Sequence, residues 1–246
     1  MSRVTKGLRC SHCDAPLEYK AGDALVTCSY CGTTQVVDVS RPFLIEHFML
    51  PIRLEPEGVD GVLLSWMRKG FLKREDLHRK AKITSKLLRM LPFWLAEVKA
   101  ESKYKGIYNR VSPPIVKTKT LGKTYHWLIL ARRRAGFPTK EFDLPAAATQ
   151  PYDFRKIPEH AEVINSQLTR GEALQQVKQE VEEHHRYLIG QDVDRIVEFD
   201  TKFSIGEVQY VHAPVWYTRY QYQRKNYNVL VCGHRSIVIA GEFPTD

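Results

Sequence analysis

The sequence predicts an α+β protein in which a small cysteine-built module precedes a larger domain of antiparallel β-sheet with packed helices. Three observations predict this fold class. Four cysteines form two C-x-x-C pairs within residues 10–31, apolar residues recur every three or four positions in the acidic segment 174–188, and an alternating run at 217–223 precedes two further β-prone runs at 227–231 and 237–240. A chain of 246 residues, 43% of them hydrophobic, is long enough for both parts.

The two cysteine pairs predict a zinc ribbon over residues 1–40. Fourteen residues separate Cys10 and Cys13 from Cys28 and Cys31, so two short hooks present four thiolates to one point. Zn²⁺ takes four thiolates in closed structural sites, with Zn–S bonds of about 2.3 Å. Two disulfides or a redox C-x-x-C pair are the alternatives. We see no signal-peptide pattern, which favours one structural Zn²⁺.

The residues around the hooks suit the backbone turns that such a site needs. Gly32 follows the second hook and adopts a positive φ freely, while Asp14 follows the first and tolerates it better than most residues. Residues 25–27 and 33–39 are β-prone and predict two short strands within the ribbon.

Residues 41–246 predict the α+β domain. We divide it into a basic, β-rich part (41–145), an acidic helical part (146–200) and a C-terminal β-meander (201–246). The elements predicted in the first part are a strand in 43–54, a helix over 58–70, a strand over 91–104, a turn at Lys105-Gly106, a loop at 112–114 and a strand over 125–131.

In the acidic part, Thr169 and Glu172 have the spacing of a capping box, and the helix they begin is expected to end at Gly190. The meander is predicted to consist of strands over 217–223, 227–231 and 237–240. The two Pro-x-Trp stretches, 92–94 and 214–216, are expected to pack in strands against this helix.

The formal net charge of +9 is unevenly distributed. Residues 66–140 contain twenty Lys and Arg against four Asp and Glu, whereas residues 141–200 contain six against thirteen. A basic block of this kind predicts contact with phosphates. The candidate nucleic-acid-binding residues are Lys73, Arg74, Arg79, Lys80, Lys82, Lys117, Lys119, Lys123, Arg132, Arg133 and Arg134.

The order of these features resembles a family of prokaryotic zinc-ribbon proteins, whose members are often labelled primosomal-helicase-like or transcription-factor-IIB-like. The motifs that carry the resemblance are Cys10-x-x-Cys13, Cys28-Ser29-Tyr30-Cys31-Gly32-Thr33, Pro92-Phe93-Trp94, Gln150-Pro151-Tyr152-Asp153, Pro214-Val215-Trp216 and Gly241-Glu242-Phe243-Pro244. The resemblance implies the same fold order, and some members of the family look like partners of membrane-stress scaffold proteins of the phage-shock and band-7 (SPFH) type.

Two functions follow as hypotheses. The first is a non-catalytic zinc-binding protein that docks through its basic surface on nucleic acid or a ribonucleoprotein. The alternative is a protein–protein adaptor for a membrane-stress scaffold, whose basic face meets an acidic protein or an anionic membrane surface. We find no catalytic signature, no cofactor loop, no small-molecule site and no apolar run near the ~18 residues of a membrane span, so we expect a non-enzymatic cytoplasmic protein.

Overall fold

Long β-strands dominate the computed structural model, which describes residues 8–19, 23–37, 46–70, 73–133, 137–142 and 144–245. The strands are β1 Leu25–Thr27, β2 Thr34–Val36, β3 His47–Met49, β4 Lys82–Tyr108, β5 Ile115–Leu130, β6 Gln150–Pro151, β7 Glu162–Val163, β8 Arg195–Tyr222, β9 Lys225–Cys232 and β10 Ile237–Gly241. The helices are α1 Pro56–Arg68, α2 Leu77–Lys80 and α3 Arg170–Asp192, with short 3-10 turns at Ala146–Ala148 and Phe154–Lys156. The protein is therefore a mixed α/β structure with a large sheet and few helices.

The chain divides into two compact units. Unit 1 contains Met1–Phe93, Leu130–Gln167 and Tyr210–Asp246, and unit 2 contains Trp94–Ile129 and Leu168–Gln209. The cysteine hooks thus belong to the same unit as the C-terminal meander. The sequence-based division into residues 1–40 and 41–246 stays a prediction.

Strands in the order β10-β9-β8-β3-β6 form the main path of an eight-stranded sheet, in which β4 also pairs with β5, β7 and β8. The predicted meander is confirmed, because β8, β9 and β10 pair antiparallel in sequence order. Gln223 and Arg224, both at positive φ (48° and 64°), form the tight turn between β8 and β9. The predicted antiparallel pairing does not extend to every strand, since β3 pairs parallel with β8 and β7 pairs parallel with β4.

Helix α1 covers the aromatic side of the meander. Val59, Leu63 and Met67 of this helix are buried in one cluster with Trp216 and Tyr220. Trp216 also donates its indole N–H to Leu54 O at 3.1 Å, which satisfies its one polar group in the core. The expectation that both Pro-x-Trp strands pack against the acidic helix is therefore wrong for Trp216, which packs with α1.

In unit 2 the predicted capping box begins α3. The Thr169 hydroxyl accepts from Glu172 N, and the Glu172 carboxylate accepts from Thr169 N at 2.8 Å. The helix continues past Gly190, where the sequence predicted its end, to Asp192, and Val193 N donates to Ile189 O at 3.0 Å. Residues 195–200, which the sequence analysis placed in the acidic helical part, begin strand β8.

The predicted turn at Lys105-Gly106 is wrong, because both residues lie inside β4. Gly106 is required there for space: a Cβ atom at this position would lie 2.6 to 2.8 Å from the side chain of Val193. The glycine marks a close approach between packed segments of unit 2, which sequence alone does not distinguish from a turn.

Gly106→Ala should therefore destabilise the protein by about 1–3 kcal/mol through overpacking. Gly122→Ala in β5 is the matched control, because a Cβ there meets nothing within 4 Å. Urea unfolding followed by circular dichroism gives both values. Equal stabilities for the two variants would contradict the close packing of Gly106 on Val193.

Candidate metal centre and basic surface

Two similar backbone turns place the four cysteines. In the first, Asp14 lies at φ 58° and donates its N–H to Cys10 O at 2.9 Å. In the second, Gly32 lies at φ 76° and donates to Cys28 O, also at 2.9 Å. Both positions need the left-handed conformation, so the prediction drawn from Asp14 and Gly32 is confirmed.

The four sulfur atoms form a compact cluster. All of them lie within 4.8 Å of one another, with Cys10 Sγ 3.5 Å from Cys31 Sγ and Cys13 Sγ 3.7 Å from Cys28 Sγ. Four ligands at about 2.3 Å from one ion would be separated by roughly 3.8 Å in a tetrahedron. The arrangement is therefore one that can hold a metal ion.

Backbone N–H groups within each hook point at the sulfur atoms. His12 N donates to Cys10 Sγ at 3.5 Å, and Tyr30 N donates to Cys28 Sγ at 3.4 Å. Such contacts stabilise thiolate charge, because the amide dipole places its positive end toward sulfur. Each of these two contacts favours the charged form that a metal ion binds, while burial raises the pKa of the Cys28 thiol.

Gln35 of β2 fastens the first hook. This buried side chain accepts from Ser11 N at 2.8 Å through Oε1 and donates to Arg9 O at 3.1 Å through Nε2. Both ends of the amide are used, so its orientation is fixed. No spacing rule in the sequence identifies this residue, because its partners lie more than twenty positions away.

The second hook packs against the segment around β6. A Cβ atom on Gly32 would lie 3.3 Å from the ring of Tyr152 and 3.6 Å from Phe154. The ring of Tyr152 in turn stacks on His47 of β3, with centroids 3.8 Å apart and planes inclined by 15°. The cysteine hooks are therefore in contact with aromatic residues that flank the sheet of unit 1.

A chain of hydrogen bonds runs from the hooks into that sheet, and we call it the polar chain. Thr27 Oγ1 lies 2.9 Å from Thr34 Oγ1, Thr34 Oγ1 lies 2.7 Å from His47 Nδ1, and His47 Nε2 lies 2.6 Å from His212 Nδ1. The chain ends where His212 Nε2 lies 2.9 Å from Ile164 O.

The contact between His212 Nε2 and Ile164 O determines the position of every proton in the polar chain. Because a carbonyl oxygen only accepts, neutral His212 donates from Nε2 and accepts at Nδ1. His47 must then donate from Nε2 and accept at Nδ1 from the Thr34 hydroxyl. Burial lowers the pKa of His212 to about 4, and burial together with the neighbouring His212 lowers the pKa of His47 well below its ordinary value.

The candidate cations of unit 2 are balanced by acidic residues of the same unit. Lys117 Nζ and Lys119 Nζ each lie 2.9 Å from an oxygen of Asp192 at the end of α3. Hydrogen bonds from Lys117 and Lys119 lower the pKa of that carboxyl. Lys123 is exposed on β5. Across unit 2 as a whole, 12 Lys and Arg stand against 11 Asp and Glu.

The arginines at positions 132 and 133 have different surroundings. Arg132 Nη1 lies 3.1 Å from the buried carboxylate of Asp23 and 3.0 Å from Asn165 O, so this residue fastens the hooks to the sheet. Arg133 N donates to Gln167 Oε1 at 3.2 Å. Arg134 lies outside the described part of the chain.

The remaining candidate cations lie near α1 and α2. Lys73 Nζ lies 3.6 Å above the Trp66 ring and donates to Trp66 O at 2.6 Å, and burial lowers its pKa. Arg74 is half-buried, and Lys80 pairs with Asp76 at 2.7 Å while staying exposed. Arg79 and Lys82 are exposed as well.

Three exposed cations at the ends of β8 and β9 join this group, although the sequence analysis missed them. Tyr222 donates to Asp76 Oδ1 at 2.7 Å, and Thr84 donates to Arg219 O at 3.2 Å, which places the β8–β9 turn beside α2 and the start of β4. We call the combined set the basic surface: Arg79, Lys80, Lys82, Arg219, Arg224 and Lys225. More than 130 residues separate its two sequence segments, so no local pattern joins them.

Unit 2 also contains a buried serine–histidine pair. Ser102 Oγ lies 2.7 Å from His185 Nδ1 and 2.7 Å from Thr201 Oγ1. This spacing is typical of a nucleophile and its base, but both Ser102 and His185 are fully buried. A substrate therefore has no access to them. We interpret the pair as a structural contact between α3, which carries His185, and β4, which carries Ser102.

The chain matches no family model, no curated protein and no solved structure. The resemblance to prokaryotic zinc-ribbon proteins therefore rests on the motifs alone. Among the described residues, no helix is both long and apolar enough to cross a membrane.

The polar chain predicts a pH-dependent stability. His212 has a folded pKa of about 4 and an unfolded pKa of about 6.5, so its contribution is present above pH 6.5 and lost as the pH falls toward 4. The full loss amounts to about 3 kcal/mol. His212→Gln should flatten the fall in unfolding free energy between pH 7 and pH 4.5, as measured by urea denaturation.

The matched control is His126→Gln, since His126 is exposed on β5. This variant should keep the pH dependence of the parent chain. If the His212 and His126 variants lose stability equally on acidification, the buried histidine is not the source of the effect.

Proposed function

We propose that the chain is a non-catalytic, zinc-binding protein that docks on nucleic acid or a ribonucleoprotein through the basic surface. The observation that carries the proposal is the separation of charge between the units. Unit 1 has 25 Lys and Arg against 17 Asp and Glu, whereas unit 2 is close to neutral. The resemblance to prokaryotic zinc-ribbon proteins, which we also propose as the family, is compatible with this function.

Zinc is the metal that suits the sulfur cluster best. Thiolate ligands select soft or borderline ions, and four of them in a tetrahedral arrangement are typical of structural zinc. Four protein ligands also close the coordination shell, which leaves no position for a substrate. Zinc in this role stabilises the hooks and supplies no chemistry.

Replacing Cys28 with Ser should remove one of four ligands and release the metal. We expect about one zinc per chain in the parent protein and much less than one in the variant, measured by atomic emission after dialysis. The variant should also lose the order of the hooks, because binding free energy at such sites is folding free energy.

Cys232→Ser is the control, since Cys232 is buried in β9 and its thiol accepts from Arg235 N at 3.4 Å. It should keep one zinc per chain. Full zinc content in the Cys28 variant would show that the ligand set is wrong.

The basic surface suits phosphate binding because its cations are exposed and come together from separate elements. Lys and Arg contacts to phosphates supply affinity without sequence choice, and each releases a counterion. One member, Lys80, also pairs with Asp76. Outside the basic surface, Lys117 and Lys119 lie against Asp192, and Arg132 lies against Asp23. These three residues contribute less to the proposed contact than the sequence analysis expected.

Reversing charge at Arg79, Lys82 and Arg224 should weaken binding to RNA and double-stranded DNA by at least tenfold. The slope of log K against log salt should also become less steep by roughly two to three units, one for each lost phosphate contact. Fluorescence anisotropy at several salt concentrations measures both quantities.

Charge reversal at Lys103, Lys178 and Lys202 is the matched control, because these exposed cations belong to unit 2. It changes the net charge by the same amount and should leave affinity within about twofold. Equal losses in both variants would mean that net charge alone drives binding. Binding to anionic vesicles, with none to either nucleic acid at low salt, would replace the proposal by the adaptor function.

A further inference from the structure

A groove of about 570 Å³ lies beside the second cysteine hook. One wall is formed by Tyr30 and Cys31 of the hook, and the other by residues 150–156, which include β6 and the following 3-10 turn. All of these residues belong to unit 1. The groove is separate from the basic surface at α2 and the β8–β9 turn.

Tyr30 has the largest exposed fraction among the large hydrophobic side chains of the described residues, at 70%. Its position on the hook is nevertheless fixed, because Tyr30 N donates to Cys28 Sγ at 3.4 Å and the residue lies between Cys28 and Cys31 in the sequence. An aromatic ring held out from a rigid loop costs little conformational entropy when it stacks on a ligand.

The opposite wall supplies cations. The side chain of Arg155 is 89% exposed and Lys156 is exposed, and both lie in the 3-10 turn that Asp153 caps by accepting from Arg155 N at 3.1 Å. Arg155 also contacts both carboxylate oxygens of Asp153, at 3.0 and 3.1 Å. This contact uses Nε and Nη2 of Arg155, so the exposed guanidinium still presents its Nη1 group to a phosphate.

We propose that this groove binds single-stranded nucleic acid, with a base stacked on Tyr30 and the adjoining phosphates contacted by Arg155 and Lys156. The inference rests on the proposed function and specifies its substrate class. A base in a duplex is paired and stacked on its neighbours, whereas an unpaired base can lay its face on an aromatic ring. The pairing of an exposed ring with nearby cations is the arrangement that sequence-tolerant single-strand binding uses.

The binding of single strands also depends on the metal centre. Tyr30 lies between two sulfur ligands, so loss of the metal removes the constraint on its backbone. Duplex binding at the basic surface has no such dependence, because its cations lie on α2, β4, β8 and β9. Chelation should therefore weaken single-strand binding more than duplex binding.

The test compares a fluorescein-labelled ten-nucleotide oligo(U) with a duplex of equal length, by anisotropy at fixed salt. Tyr30→Ala should weaken oligo(U) binding about tenfold or more and leave duplex binding within twofold. Tyr30→Phe should restore single-strand binding, since its ring still stacks. Arg155→Ala should weaken oligo(U) binding and reduce the salt slope by about one unit.

Tyr187→Ala is the matched control, because Tyr187 is a tyrosine of similar exposure (66%) on α3 in unit 2. It should leave both affinities unchanged, and all variants should keep one zinc per chain. Unchanged oligo(U) binding in Tyr30→Ala would overturn the inference, while loss of duplex binding in the Arg79, Lys82 and Arg224 variant would still support the proposed function. No binding of either nucleic acid by the parent chain would overturn both.

Discussion

The hydrogen bond between His47 Nε2 and His212 Nδ1 is the contact on which the arrangement of unit 1 depends. At 2.6 Å, inside a region where burial keeps both rings neutral, it allows only one distribution of protons. The polar chain is fully satisfied from the threonine hydroxyls to Ile164 O, and a buried network of this kind rigidifies its surroundings only when every member has a partner. The polar chain thereby holds β3, β8 and the strands beside the cysteine hooks in fixed positions relative to one another.

Electrostatic compensation is the second organising constraint. The acidic residues that follow the basic block in sequence contact basic residues within unit 2, as Asp192 does with Lys117 and Lys119. Asp194 likewise lies 2.9 Å from Arg110. Basic residues of unit 2 that a count along the sequence suggests are available to a partner therefore form ion pairs within that unit. In unit 1, exposed basic residues remain on α2 and at the β8–β9 turn.

Local chemistry was predictable from the sequence, and contacts between distant segments were not. The positive φ of Gly32 and the capping box at Thr169 follow from residue type and spacing within four positions, so both predictions are confirmed. Gly106 was misread as a turn, because the reason for this glycine is a side chain 87 positions away. The sequence predicted only part of the basic surface. Arg79 and Lys82 lie in a basic segment of the sequence, whereas Arg224 comes close to them only because the strands pair.

Gly32 has a consequence for how this protein tolerates substitution. The same residue provides the left-handed turn after Cys31 and the space in which the ring of Tyr152 lies. Most other side chains would meet a conformational penalty of roughly 1–2 kcal/mol, and any Cβ atom would lie 3.3 Å from the Tyr152 ring, which would have to shift slightly. A substitution at Gly32 would therefore affect both the turn that positions Cys31 and the packing of the hook on Tyr152. A substitution at the exposed Tyr30, by contrast, meets neither of these two constraints.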